Sequence, residues 1–237
     1  DDFGKKLQKH GFVALKNHGV PRQLLDAHYR LLEEMMKKTP VDELKRYEIP
    51  EVGRQVGYYP ATEIKPDKDG KYTAADPKHM WQTSPDHNVF PLNAKAFAEV
   101  NTRLFKALET VGHDVMDVLG LFLNDEQGLL KRYVYSGGKG SPAHMMRAIH
   151  YPSLNEAQRE NVRYIETNGK KEWVRTGEHR DLSVFTLLPE STLSGLQLLP
   201  NTGGNKTDTV KDAMDPGNKW LDVFAQDGYL IRIPATR

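Results

Sequence analysis

Near Met145 the spacing of the apolar residues changes, and that change limits the folds open to the chain. Before it, Leu24, Leu25, His28, Leu31, Leu32, Met35 and Met36 recur at helical spacing until Thr39-Pro40 breaks the pattern. Phe97, Val100, Leu104, Leu108, Val111, Val115 and Leu119 then mark one stripe of a second long helix over about 93–123. After it, short apolar runs at 146–151, 162–166, 172–175, 182–188, 195–199 and 220–224 read as strands. Turn signals such as Asn168-Gly169 and Asp215-Pro216-Gly217 separate them. Helices first and strands after predict an α+β fold, with helices outside a β core of sandwich or barrel type.

The remaining segments fit around that plan. A helix ends near Lys9, a short strand spans 11–16, and Asn17-His18-Gly19-Val20-Pro21 closes it as a turn. A turn of helix is expected over 42–47. Residues 49–91, rich in Gly, Pro, Lys and Asp, read as surface loops with apolar islands at Val56-Gly57-Tyr58-Tyr59 and Met80-Trp81. Residues 201–218 read as a polar insertion.

A length of 237 residues suits one large domain over 1–237, mostly helical over 1–125 and β-rich over 126–237. With 33 basic and 32 acidic residues there is no electrostatic case for nucleic acid or an anionic membrane as partner. No apolar run is long enough to predict a transmembrane helix. The Asp1-Asp2-Phe3 opening reads as a chain whose natural start lies elsewhere. The absence of cysteine excludes disulfides, thiolate metal sites and cysteine nucleophiles, and makes a cytoplasmic location the default. Any metal must therefore use His, Asp or Glu.

One pattern has that chemistry: His179-Arg180-Asp181, just ahead of the apolar run Leu182 to Leu188. In an extended segment, side chains two apart share a face, so the imidazole and the carboxylate can share an ion. On a helix they would diverge. Such a pair supplies two-thirds of the 2-His-1-carboxylate triad that holds non-haem Fe(II) with open positions. The alternative is a turn in which the aspartate caps backbone groups and the histidine is simply exposed. His18 reads as a turn residue, His28 and His113 as helix surface or packing groups, and His144 and His150 as strand residues able to face a cavity. Gly137-Gly138-Lys139-Gly140 lacks the strand and helix of a phosphate loop, and no serine sits in a nucleophile elbow.

Several motifs in order then resemble the isopenicillin N synthase-like family of Fe(II)- and 2-oxoglutarate-dependent oxygenases. They begin with Gly11-Phe12-Val13-Ala14-Leu15-Lys16-Asn17-His18-Gly19-Val20-Pro21 and Gln55-Val56-Gly57-Tyr58. Asp76-Pro77-Lys78-His79-Met80-Trp81 follows, with His79 where that family usually has glutamate. Next come Met146-Arg147-Ala148-Ile149-His150-Tyr151-Pro152, the His179/Asp181 segment with Thr186-Leu187-Leu188, Gly195-Leu196-Gln197-Leu198, and Lys219-Trp220-Leu221-Asp222-Val223.

The resemblance implies a double-stranded β-helix (jelly-roll) core flanked by the N-terminal helices. It implies Fe(II), 2-oxoglutarate as co-substrate and O2, with His179 and Asp181 as metal ligands. It further implies that Tyr151 contacts the far carboxylate of 2-oxoglutarate, although Ile149 stands where many plant relatives have asparagine. Arg147 and Gln197 occupy neighbouring pocket positions, and Arg180, Tyr58 and Trp81 are expected on the wall of the substrate site. The implied activity is hydroxylation, desaturation or cyclisation of a small molecule, with release of succinate and CO2. The alternative is a non-catalytic binding protein on the same fold that has lost its distal histidine. Arg232-Ile233-Pro234-Ala235-Thr236-Arg237 looks like the residues just before that histidine, which is expected beyond Arg237. About fifteen residues, a strand and a turn, are then expected to be absent between Ile231 and Arg232.

Overall fold

Helix α1 (Asp2–His10) passes into strand β1 (Phe12–Leu15) at Gly11, whose φ of 72° lies in the left-handed region that ends helices. The Gly11 amide still donates to the Leu7 carbonyl at 2.7 Å, so the helix closes its last turn before the chain reverses. The structure is a computed structural model describing residues 2–50, 56–60, 76–85, 87–136, 144–160, 162–167, 169–177, 179, 181, 183–199, 220–223 and 229–232. Two compact units result, each drawing on both halves of the sequence. One comprises residues 1–22, 106–136 and 178–237, and the other residues 23–105 and 137–177.

In the first unit, β1 lies beside β10 (Tyr229–Arg232), which lies beside β7 (Thr186–Pro189), all antiparallel. Val13 faces Ile231, which faces Leu187, and Arg232 faces Thr186. A short pair, β8 (Gln197–Leu198) with β9 (Leu221–Asp222), stands apart from that sheet. Helix α4 (Lys95–Phe122) gives its later turns to this unit. Phe122 packs so closely on α1 that a Cβ on Gly4 would fall 2.1 Å from the ring, so only glycine fits. Helix α5 (Leu129–Ser136) follows, its first turn held by Asp125, whose carboxylate accepts from the Leu129 and Leu130 amides.

In the second unit, α2 (Arg22–Lys38) buries Leu25, His28, Leu32 and Met35, the stripe its sequence spacing predicts. After it come α3 (Val41–Leu44) and a 3-10 turn over Lys45–Tyr47, in place of the single helical turn expected. The loop reading of 49–91 needs correction. Its two apolar islands form β2 (Gly57–Pro60) and β3 (His79–Thr83), which join β4 (Met146–His150) in an antiparallel sheet. Each island is too short to show a period, yet Tyr58 and Trp81 face one another across the ladder. Both are fully buried, in a core with Leu32, Met35, Leu44, Phe97 and Ala148. Gly57 has φ of 78°, and a Cβ there would lie 2.2 Å from the Tyr47 carbonyl oxygen. A hairpin of β5 (Tyr164–Thr167) and β6 (Lys170–Trp173) and a short helix α6 (Glu156–Glu160) complete this unit.

One buried polar chain crosses the second unit. His28 Nε2 lies 3.0 Å from Asn101 Oδ1, while Asn101 Nδ2 donates to Thr83 Oγ1 at 2.7 Å. Because that amide oxygen can only accept, Nε2 of His28 carries the proton and Nδ1 does not. Nδ1 is buried and meets no hydrogen-bond partner among the described residues. Burial, partly offset by the bond to Asn101, holds the His28 pKa below its ordinary value.

Candidate metal centre

His179 and Asp181 lie in the segment ahead of β7, which begins at Thr186 rather than at 182 as the apolar run predicts. A bend at Ser183 and Val184 separates the pair from the strand. The two side chains nevertheless meet, with His179 Nε2 3.3 Å from Asp181 Oδ1. The other carboxylate oxygen, Oδ2, accepts from Thr186 Oγ1 at 2.6 Å. Since the threonine proton is committed to Asp181, the 3.0 Å contact between Ser183 Oγ and Thr186 Oγ1 has the serine as donor. Strand β7 thus fixes one oxygen of the aspartate and leaves the other turned to the imidazole.

That arrangement fits a metal ion. Two donors that share an ion at about 2.1 Å each, near a right angle, stand about 3 Å apart. His179 is 47% and Asp181 23% exposed, so the pair is open on one side. A carboxylate held through its second oxygen is the usual outer-shell support of a metal ligand. Among the described residues no group of three His, Cys, Asp or Glu side chains could hold a metal ion.

Tyr151 follows β4 directly, in the second unit, and is 43% exposed. Its hydroxyl is 2.9 Å from Thr176 Oγ1, and the Arg175 guanidinium sits 5.7 Å from its ring centroid. Arg147 and Gln197 are both engaged across their own strand pairs, Arg147 donating to Gln82 at 3.0 Å and Gln197 to Asp222 at 2.9 Å. Tyr58 and Trp81, expected on a substrate wall, have no exposed surface and are core residues. Arg180, the insertion at 201–218 and the glycine run at 137–140 lie outside the described residues.

The other histidines divide cleanly. His18 accepts from the Val20 amide at 3.1 Å, as the turn reading predicts, and His144 stacks on Phe105. His79 and His150 face one another across β3 and β4, with ring centroids 6.4 Å apart. The Tyr58 hydroxyl lies 2.5 Å from His79 Nδ1. Burial pushes the Tyr58 pKa up to about 12, so the phenol keeps its proton. Both imidazoles are held below their ordinary pKa by burial, and for His150 the neighbouring His79 adds to the effect. Sequence reasoning missed Thr186, Thr176 and Arg175. Thr186 alone had a usable signal, a hydroxyl at the start of a strand just after the aspartate.

Comparison with known proteins bears on the same residues. A family model described as the N-terminal part of non-haem dioxygenases in morphine synthesis matches residues 1–103. A probable iron/ascorbate oxidoreductase of Dictyostelium discoideum is 26% identical over 223 residues, taking in 85% of this chain and 60% of its own length. A 2-oxoglutarate-Fe(II) type oxidoreductase of Emericella nidulans is 27% identical over 242 residues, taking in 92% and 59%. The chain is similar to Fe(II)- and 2-oxoglutarate-type oxidoreductases over most of its length. It spans about three fifths of the length of these curated relatives. In structure, the chain is similar to a full-length Neurospora crassa protein solved in complex with alpha-KG. That likeness has a TM-score of 0.71 at 18% identity, covering 99% of this chain and 66% of the other. The match to the Emericella relative runs over more positions than the 237 of this chain, so the relative carries internal residues without a counterpart here. No helix among the described residues is long and apolar enough to cross a membrane.

Proposed function

We propose that this protein is a non-haem Fe(II)-dependent dioxygenase. It uses 2-oxoglutarate and O2 to hydroxylate, desaturate or cyclise a small molecule, on a jelly-roll core. The observation that carries the reading is the 3.3 Å approach of His179 Nε2 to Asp181 Oδ1, with the other aspartate oxygen held by Thr186. His179 and Asp181 would hold the iron, together with a histidine expected beyond Arg237. Bound iron, with 2-oxoglutarate and O2, supplies the oxidation and releases succinate and CO2. The chain's own contribution is orientation. Thr186 keeps the carboxylate from rotating, and the half-open face of the pair leaves room for co-substrate. Tyr151 supplies a hydroxyl for the far carboxylate of 2-oxoglutarate.

The test is an anaerobic titration of the full-length protein with Fe(II) and then 2-oxoglutarate, followed by the metal-to-ligand charge-transfer band. A saturable band at one equivalent, and succinate release on admitting air with a screened set of small metabolites, is the expected result. Weak iron binding with no band would favour a non-catalytic binding protein on this fold.

A further inference from the structure

The end rung of the β3–β4 ladder, within the second unit, pairs two histidines, His79 and His150. Three rings line up on that rung. Tyr58 stacks on His79 with centroids 5.9 Å and planes 17° apart, and His79 on His150 at 6.4 Å and 28°. On its other side His79 faces Pro60 of β2, which has no amide proton to add to the ladder. The Tyr58 hydroxyl lies 2.5 Å from His79 Nδ1 and has no other partner among the described residues. His150 Nδ1 is buried and has none. The Arg175 guanidinium straps the same end, donating to the carbonyl oxygens of Pro77 and Pro152.

We infer that His79 and His150 form a proton-operated latch on this end of the sheet, shut while both rings are neutral and released when they are charged. A charged His79 has protons on both nitrogens, so Nδ1 can only donate. The Tyr58 phenol must then accept, and its own proton is left without an acceptor in a side chain with no exposed surface. A charged His150 places an unmatched donor at its buried Nδ1. With both charged, two cations stand on neighbouring strands, ring against ring. The surrounding charges do not relieve this. Lys37 of α2 and Arg175 oppose a charge on His150, and Glu33 of α2, which favours it, is already paired with Lys37 at 2.5 Å. Glu48 acts on Tyr58, while Asp76 and Lys78, just before His79, pair with each other at 3.1 Å. Burial holds both imidazoles below their ordinary pKa in the closed form. Closure is therefore favoured above about pH 6.5 and loses ground as pH falls below it. A glutamate at position 79, usual in the family this chain resembles, would attract a proton on His150 where His79 repels it. The latch is independent of the oxygenase reading.

The test is amide hydrogen exchange on the full-length protein at pH 7.5 and 5.5, corrected for the intrinsic pH dependence of exchange. A histidine that titrates at its ordinary value in the open form, and is held well below it in the closed form, changes the opening constant about tenfold over that interval. Opening over residues 79–83 and 146–150 should therefore rise by more than about tenfold, beyond what one imidazole supplies. Low urea should hardly affect it, because a local opening exposes little surface. His150→Gln should bring the rise to about tenfold or less, and His79→Glu to within about threefold, since the proton on His150 then meets a carboxylate. His28→Gln, whose bonds through Asn101 reach Thr83 at the other end of β3, should leave the rise unchanged. A wild-type rise of about tenfold or less, an unchanged rise in either variant of the pair, or a urea dependence as steep as that of global unfolding would overturn the latch.

Discussion

His28 and His179 are the same side chain in opposite settings. His28, 3% exposed in the second unit, gives its one proton to Asn101 and buries the bare nitrogen. His179, 47% exposed in the first unit, turns Nε2 to a carboxylate that a threonine holds from behind. The buried imidazole is kept neutral and serves packing and tautomer-specific bonding. The open one keeps a nitrogen where an ion can reach it. Environment, not residue type, sets these two histidines apart.

The largest effect should come from the open setting. Asp181→Ala should abolish succinate release coupled to substrate oxidation and cut iron affinity by at least about a hundredfold. Full activity in that variant would remove the distinction between the two histidines. The buried setting should respond in stability instead. Trp81→Ala, which empties a fully buried site between Tyr58, Phe90 and Phe97, should cost about 3–5 kcal/mol in urea unfolding. A loss under about 1 kcal/mol would mean that the core is not packed as described.

Thr186→Val is the finer probe. It preserves the shape of β7 and frees Asp181 Oδ2, so metal affinity should fall about tenfold with little change in unfolding midpoint. An equal loss of stability and affinity would make Thr186 a strand residue only. The smallest effect is one of pH. His28, His79 and His150 all have pKa values held down in the folded state. As pH falls through about 6.5, the unfolded chain takes up these protons first, so stability present above that pH is lost below it. Lys37 and Arg175 deepen the depression at His150, and Glu33 opposes it. Unfolding midpoints at pH 7.5 and 5.5 should differ in this sense, and His28→Gln should narrow the gap; a pH-independent midpoint would contradict the buried assignment.

Much of this was legible in the sequence. The α2 and α4 stripes showed because a helix long enough to repeat its period announces its buried face. The pairing of His179 with Asp181 showed because both residue types are chemically distinctive. β2 and β3 did not show, because four or five residues within a glycine- and lysine-rich stretch cannot display alternation, and β3 takes its other partner, β4, from nearly seventy positions later. The short helices α5 and α6 were hidden for a similar reason, being set by end contacts such as Asp125 rather than by a stripe. Thr176 and Arg175 escaped because a hydroxyl pair and a guanidinium on backbone carbonyls leave no spacing rule to read.

The bond from Tyr58 to His79 also gives the second unit a built-in reporter. A phenol proton sealed in a side chain with no exposed surface, and shared with a ring nitrogen 2.5 Å away, exchanges with solvent only when the surrounding sheet opens. Its magnetic resonance line should lie well downfield and persist in water. Its disappearance on warming would time the first breach of that sheet, before any change in bulk helix content.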